Sequence, residues 1–398
     1  MTAPAVVRNR VTALRFVIGF GVVSALSDVV YEGARSVIGP FLRDLGATAA
    51  VVGLVTGIGE AVALVLRLGT GHLADRTGRP WPQTIAGYAL TMLCVPLMAL
   101  SPGLASASLL YNGERFGKAL RSPARDTMLA HASATLGRGY AFGLHEALDQ
   151  LGALAGPLAV AAFLALGGEL RWSFALLALP GVAALFMLGR LRLAAPDPAL
   201  YDPSTAVSAP KHLRIDRRLP RGFWIYALFS AATMFGFATW GVLAFHLVQL
   251  HVVGAVWVPV LYAAAMGAAA VTAVVSGRVY DRVGLRGLVV LPPLAVAVPL
   301  LSFRTSVAAV VAGAVVWGAG MGIHDSTMRA AVTDLVPRER RGAGYGTFTA
   351  IYGLAWLAGA ALIGLLYEHG TAAATWFVVG VQAVAVALLL PLLSQHPR

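Results

Sequence analysis

Long apolar stretches alternate along the chain with short polar breaks. Twelve stretches approach or exceed the ~20 residues that a membrane-crossing helix needs. They fall near 14–37, 48–69, 81–100, 104–125, 139–166, 172–189, 222–246, 254–276, 287–303, 306–330, 343–366 and 372–393. The breaks carry turn chemistry: Gly39-Pro40, the 71–80 stretch, Ser101-Pro102-Gly103, Gly167-Gly168 and Pro337. Arg8, Arg10 and Arg15 precede an apolar run that passes Ser24-Ala25-Leu26, much as a secretory leader would. That run continues past residue 30 and eleven more follow, so it reads as the first span. The one long polar segment, 190–221, contains Pro196, Pro198, Pro203, Pro210 and Pro220 and reads as a linker. The pattern predicts an all-α integral membrane protein of twelve helices in two six-helix bundles, 1–189 and 222–398.

Composition agrees with the pattern. Of 398 residues, 58% are hydrophobic and 12% charged, and mean hydropathy is +0.76. So little charge does not cover a water-soluble globule of this size, so a soluble enzyme is not expected. The net charge of +12 looks like a nucleic-acid signal until it is mapped. Loops on the N-terminal side hold twenty Lys and Arg, while the opposite loops hold Arg43, Arg171 and Arg304 alone. The excess of positive charge marks the cytoplasmic face. Both termini are therefore expected in the cytoplasm, the chain in the cytoplasmic membrane, and the +12 is a consequence of topology. The expected partners are the lipid bilayer, protons and a small-molecule substrate, with no nucleic acid and no cofactor, and the unit is expected to be a monomer. The single cysteine, Cys94, excludes a disulfide framework.

The two halves repeat. Gly71-His72-Leu73-Ala74-Asp75-Arg76-Thr77-Gly78-Arg79 returns 206 residues later as Gly277-Arg278-Val279-Tyr280-Asp281-Arg282-Val283-Gly284. Arg138-Gly139-Tyr140-Ala141-Phe142-Gly143 returns 203 residues later as Arg341-Gly342-Ala343-Gly344-Tyr345-Gly346, and Gly156 with Gly359 keeps that offset. Parallel six-span repeats are a transporter architecture, with the substrate site near the midplane between them. With its linker and both loop motifs, the whole chain resembles a major facilitator superfamily transporter. Residues 71–80 are similar to that superfamily's loop signature, and the second copy is a degenerate version with Leu285 in place of an arginine. The resemblance implies gating roles for Gly71, Asp75, Arg76, Gly78, Arg79, Asp281 and Arg282. Gly152-Ala153-Leu154-Ala155-Gly156-Pro157 is similar to a motif of proton-coupled drug antiporters, which adds Gly152, Gly156 and Pro157 to the gating set. Val160 and Ala161 replace that motif's trailing glycines, and tight packing of small residues is the competing account. Residues 114–126 resemble a bacterial branch of the superfamily made up mostly of efflux permeases.

Ionisable groups inside a bilayer are expensive and by default functional. Asp28, Glu32 and Arg35 share one face of the first span. Glu114, Lys118, Arg121 and Arg125 form a stripe down the fourth, beside Arg115. His145, Glu146 and Asp149 lie in the fifth, His324, Asp325 and Arg329 in the tenth, and Glu60, Arg67 and His246 in the second and seventh. The resemblance makes the first, fourth, seventh and tenth spans cavity helices. Carboxyls poised between protonation states couple protons, so Asp28, Glu32, Glu146, Asp149 and Asp325 are the proton-coupling candidates. Asp28, Glu32, Arg35, Lys118, Arg121, Trp240 and His324 are the substrate-binding candidates, with Arg121 placed to pair with Asp28 or Glu32. A salt-bridge network that never titrates is the alternative. Trp240, Tyr31 and Tyr352 are candidates for stacking on a ligand.

The function expected is proton-coupled export by alternating access. The alternatives are a symporter or exchanger of a small organic anion, or a metal-ion efflux permease. No nucleophile elbow, H-E-x-x-H or G-x-x-x-x-G-K-[ST] motif occurs, so neither an intramembrane enzyme nor an ATP-driven pump is expected.

Overall fold

The computed structural model describes residues 11–202, 219–337 and 340–395. The described residues contain fifteen α-helices, three short 3-10 segments and no strand. In order the helices are α1 (Ala13–Asp44), α2 (Ala49–Val65), α3 (Arg67–Thr77), α4 (Pro80–Leu97), α5 (Leu104–Ser133), α6 (Arg138–Ala165), α7 (Leu170–Leu176), α8 (Ala178–Ala194), α9 (Arg221–Phe235), α10 (Trp240–Gln249), α11 (Trp257–Val283), α12 (Leu291–Ser302), α13 (Val307–Leu335), α14 (Arg341–Glu368) and α15 (Thr371–Gln395). Ten helical stretches are long and apolar enough to cross a membrane. The set omits α5, whose charged stripe lowers its hydropathy, and takes Trp257–Ser302 as one stretch because a 3-10 segment joins α11 to α12. Large apolar side chains face outward, among them Leu109, Leu166, Leu179 and Trp376, at 70% exposure or more. Such a surface needs an apolar solvent, and the helices satisfy their own backbone groups as lipid requires.

Several breaks expected from Pro and Gly are not breaks. Helix α1 passes through Pro40 and turns only at Leu45–Ala47, where Gly46 has φ +90°. A proline leaves the carbonyl four residues earlier without its helical partner. Here that carbonyl belongs to Ser36, and the Trp240 indole N–H donates to it at 3.0 Å. Pro123 in α5 likewise frees the Ala119 carbonyl, which accepts from the Thr70 hydroxyl at 2.7 Å. The 71–80 stretch is also mostly helical: α3 runs to Thr77, and Gly78 ends it in the left-handed region at φ +60°. Conversely, the uninterrupted seventh stretch is interrupted in the structure. Helix α9 stops at Phe235 and α10 begins at Trp240. The freed carbonyls are satisfied by neighbouring helices. Gln382 donates to Thr233 and Gly236 at 3.0 and 3.2 Å, and Trp317 donates to Ala238 at 2.8 Å. An apolar pattern does not reveal a break whose polar groups are met by partners 79 or more residues away.

Two hydrophobic clusters form. One joins buried residues from Phe16 to Ala195 with Phe245, and the other runs from Leu219 to Leu392. Between them α14 packs along α2, α10 against α1, and α11 against α6. The α1–α10 contact lies at the end where α1 finishes, called here the sealed end. A side chain at Gly39 would collide with the Gly241 carbonyl, so Gly39 lets these backbones touch, while a side chain at Gly241 would meet Thr56 of α2. There too, Arg43 Nε donates to Gln249 Oε1 at 2.7 Å, and Glu368 Oε1 accepts from the Ala50 N–H at the start of α2 at 3.0 Å. A surface depression of ≈ 650 Å³ is lined here by Arg43, Thr48, Gln249, Tyr367 and Glu368.

The expected linker is described only at its edges. The Trp81 indole donates to the Ala195 carbonyl at 3.1 Å, and the Tyr201 hydroxyl to the Val11 carbonyl at 2.8 Å. Burial pushes the Tyr201 phenol up to about 12. Residues 203–218 lie outside the described residues.

Candidate functional site

Buried charge concentrates where α1, α2 and α5 meet. Asp28, Glu32, Glu60, Glu114, Arg115 and Arg121 are each 8% exposed or less. Periodicity explains α1, where positions 28, 32 and 35 fall on one face. The partners come from other helices. Arg35 bridges Glu60 of α2 at 2.9 Å and sits 3.7 Å from Glu32. Arg115 lies 2.9 Å from Glu114 and 3.7 Å from Glu60. None of its N–H groups is aligned for a hydrogen bond, so these are ion pairs held by charge and distance.

Asp28 and Glu32 are engaged differently. The Tyr31 hydroxyl donates to Asp28 Oδ2 at 3.2 Å and accepts from Lys118 Nζ at 2.9 Å, so one phenol links acid to amine. The Tyr262 hydroxyl of α11 donates to Glu32 Oε2, a hydrogen bond from one hydrophobic cluster to the other. Arg121 departs from expectation. It pairs with neither Asp28 nor Glu32. Instead it donates to Thr91 Oγ1 at 2.6 Å, with its guanidinium 4.8 Å from the Tyr88 ring centre and 5.7 Å from that of Tyr31.

Asp28, Glu32, Arg35, Lys118 and Arg121 are thus brought together, and Asp149 borders them, near enough for its carboxylate to repel that of Asp28. Its own contacts are different: it lies 3.7 Å from His145 Nε2 and 4.0 Å from Arg125, whose guanidinium also meets Ser24 and Asp126. Glu146 is exposed and accepts from Gln150 at 3.3 Å, so the two acids of α6 do not share one environment. His324 is buried between the rings of Phe237 and Tyr352, with neither ring nitrogen hydrogen-bonded among the described residues. Asp325, next in sequence, is exposed. The side chains of Arg138, Arg329 and Arg341, and also Gly139 and Gly342, fall outside the described set. No three His, Cys, Asp or Glu side chains converge as a metal site requires among the described residues.

Trp240 packs against Tyr262 and Trp317, with ring centres 5.0 and 5.4 Å away. Trp356 of α14 faces the Arg35 guanidinium at 6.0 Å. Tyr262 and Trp356 were missed among the substrate-binding candidates. Each is a polar-tipped aromatic on an apolar span, which marks it as worth attention, but nothing local names its partner.

The expected gating residues divide. Asp75, Arg76, Arg79, Asp281 and Arg282 are exposed at the ends of α3 and α11, and a methyl group at Gly71 would only just reach van der Waals contact with Pro123. Gly152 and Gly156 press against the backbone of α1, where any side chain at Gly156 would meet the Val29 carbonyl. Pro157 lies within unbroken α6. Gly359 meets the Phe235 carbonyl in the same way. The repeat therefore reappears as a packing contact, because Gly156/Gly359 and Val29/Phe235 keep the 203 and 206 offsets.

Comparison with known proteins agrees with this geometry. The model of the Major Facilitator Superfamily matches residues 20–303 and 260–398. An uncharacterized protein of Mycobacterium tuberculosis is 48% identical over 383 residues, covering 96% of this chain and 94% of that one. An uncharacterized MFS-type transporter of Methanocaldococcus jannaschii is 28% identical over 137 residues, 34% of each chain. Among solved structures, a bacterial homolog of the human lysosomal transporter Spinster, inward-facing and occupied, has a TM-score of 0.69 at 16% identity, covering 96% of this chain and 95% of that one. The nucleoside transporter NupG has a TM-score of 0.74 at 13% identity, covering 95% and 98%. The family match, the mycobacterial relative and the solved structures span nearly the whole chain and meet the buried polar core already described: the protein is a multi-pass membrane protein and a member of the Major Facilitator Superfamily, a family of transporters.

Proposed function

We propose that this protein is a proton-coupled secondary transporter that moves a small molecule across the cytoplasmic membrane by alternating access, in the direction of export. The carrying observation is the pair of hydroxyl-linked carboxyls on α1: Asp28 through Tyr31 to Lys118, and Glu32 to Tyr262 across the two clusters. Protonating Glu32 removes the charge that Tyr262 and Arg35 share, and so weakens a tie between the moving parts. The arrangement supports a coupling role over a purely fixed network, because each carboxyl has a hydroxyl partner that can donate to a carboxylate or accept from a carboxylic acid.

The same reading takes twelve crossings in two six-helix bundles, 1–189 and 222–398. Helix α5 supplies the crossing that hydropathy omits, and α11 and α12 supply two. The arginine bias puts both termini in the cytoplasm and the sealed end outside. The α1–α10 seal, closed here, is then the gate that must part, and Gly71, Asp75, Arg76, Gly78, Arg79, Asp281 and Arg282 latch the opposite state, as the family resemblance implies. Export rests on the efflux-permease-like residues 114–126. Uptake of a small organic anion with a proton is the second reading, favoured by Lys118 and Arg121, neither of which has a carboxylate within 4.0 Å among the described residues.

Reconstituted vesicles with a trapped pH dye, challenged with drug and organic-acid panels, test the proposal. Substrate-dependent proton flux lost in Asp28→Asn and Glu32→Gln is expected, and its sign assigns the direction. Substrate movement with no proton flux, or flux indifferent to both substitutions, refutes it.

A further inference from the structure

Three cations surround one tyrosine ring. Arg115, Lys118 and Arg121 lie 5.4, 4.0 and 5.7 Å from the Tyr31 ring centre. Their compensation is unequal. Arg115 has Glu114 and Glu60 beside it, and Arg35, one turn along α1 from Tyr31, has Glu60 and Glu32. Arg121, 2% exposed, has a neutral hydroxyl and two ring faces. Lys118, half-buried, has the Tyr31 hydroxyl and ring face. A buried cation without an anion in contact is costly. Asp28 acts on both Lys118 and Arg121 across space but reaches Lys118 only through the shared hydroxyl, and Glu32 is already engaged by Tyr262 and Arg35. An entering oxyanion that takes the Tyr31 hydroxyl's place at Lys118 meets an ammonium and, one helical turn further, a guanidinium whose fork suits a carboxylate.

A second surface lies one turn along α1. Trp240, Trp356, Tyr111, Arg35 and Glu60 line a narrow, partly open void, and the Trp356 indole N–H is buried with no acceptor among the described residues. The void holds only ≈ 10 Å³, so a ring entering it wedges α10 and α14 away from α1. Tyr31 and Arg35, the α1 residues at the two surfaces, are one turn or ~5–6 Å apart along the helix axis, a rise comparable to the length of a small aromatic acid.

We propose that the cargo is a small aromatic monoanion, with its carboxylate held by Lys118 and Arg121 beside Tyr31 and its ring lodged against Trp240 and Trp356. This names a substrate class for the transport site above and rests on that site's transport role, but on neither direction nor proton coupling. A ring substituent bearing an acceptor would meet the orphan Trp356 N–H. Ring entry also links binding to the seal, since α10 contributes both Trp240 and the Gly241 contact with Gly39.

Binding to the purified full-length protein in detergent tests this, read by thermal shift and intrinsic tryptophan fluorescence. The probes are 4-hydroxybenzoate, benzylamine, cyclohexanecarboxylate and inorganic phosphate. We expect 4-hydroxybenzoate to stabilise the protein and perturb its fluorescence while the other three bind more weakly. Lys118→Met and Arg121→Gln should each weaken 4-hydroxybenzoate by ~10-fold or more, as loss of one charge-assisted contact implies. Lys118→Arg should retain it, which separates lost charge from lost fold if Arg121→Gln proves unstable. Benzylamine or cyclohexanecarboxylate binding as tightly, phosphate competing equally, no response to the aromatic acid, or an unchanged response in Lys118→Met overturns the proposal. Binding without proton flux in vesicles would sink proton coupling and leave this inference standing. Proton flux with another cargo and no acid binding would do the reverse.

Discussion

Replacing Arg115 by methionine tests whether the buried charges hold helices together. Its side chain is 1% exposed and its neighbour Glu114 is 2% exposed, with 2.9 Å between the charged atoms. Glu60, 3.7 Å away, keeps Arg35 at 2.9 Å when Arg115 is removed. Glu114 keeps no cation within ion-pairing distance among the described residues. A buried pair broken on one side leaves an uncompensated charge, at a cost of about 3–5 kcal/mol. Removing both members with Glu114→Leu and Arg115→Met leaves no orphan charge. Replacing a buried pair by well-packed hydrophobic residues of similar volume is often neutral or stabilising by ~1–4 kcal/mol. The double variant should therefore recover most of the loss, and if the pair is scaffold only, it should also recover transport. Equilibrium unfolding in mixed micelles titrated with SDS measures all three variants. A single variant as stable as the parent, or a double variant weaker than the single, would refute the reasoning.

Gly156→Val drives a side chain into the Val29 carbonyl, and Gly359→Val does the same at Phe235. Backbone yields little, so each should cost ~1–3 kcal/mol in the same unfolding assay, and equal stability to the parent would show that these contacts are slack. Tyr262→Phe removes the hydrogen bond to Glu32 and should lower stability by ~1.5–3 kcal/mol if Glu32 is ionised. It should also shift the pH dependence of vesicle proton flux, and an unshifted profile would detach this contact from coupling. Gly39→Val should hold the sealed end apart, so a cysteine placed at Gln249, with Cys94 replaced by serine, should label faster with an impermeant maleimide. Unchanged labelling would show that the seal does not depend on the Gly39–Gly241 approach.

Much of the site was legible on α1 because helical spacing is local. Positions 28, 32 and 35 fall on one face whatever surrounds them. The stripe on α5 was legible for the same reason, but the destinations of its charges were not. Arg121 looked like a partner for Asp28 or Glu32, yet Thr91 and two tyrosine rings receive it, and Tyr31 carries the link that Arg121 was expected to make. Glu146 and Asp149, three positions apart, were grouped by spacing, but packing of α6 against α1 leaves one exposed and the other beside His145.

What the sequence by itself determined is whatever repeats at short range or is set by solvent: helices, their apolar faces, and a duplication near 200 residues that returns as paired glycine contacts. Only the tertiary structure decided where helices pass through proline, where α9 gives way to α10, and which hydroxyl meets which carboxyl. In an apolar solvent every freed carbonyl and buried charge must find a partner inside the protein. Those partners lie as far as 204 residues away for Ser36 with Trp240 and 230 for Glu32 with Tyr262, a distance over which periodicity carries no information.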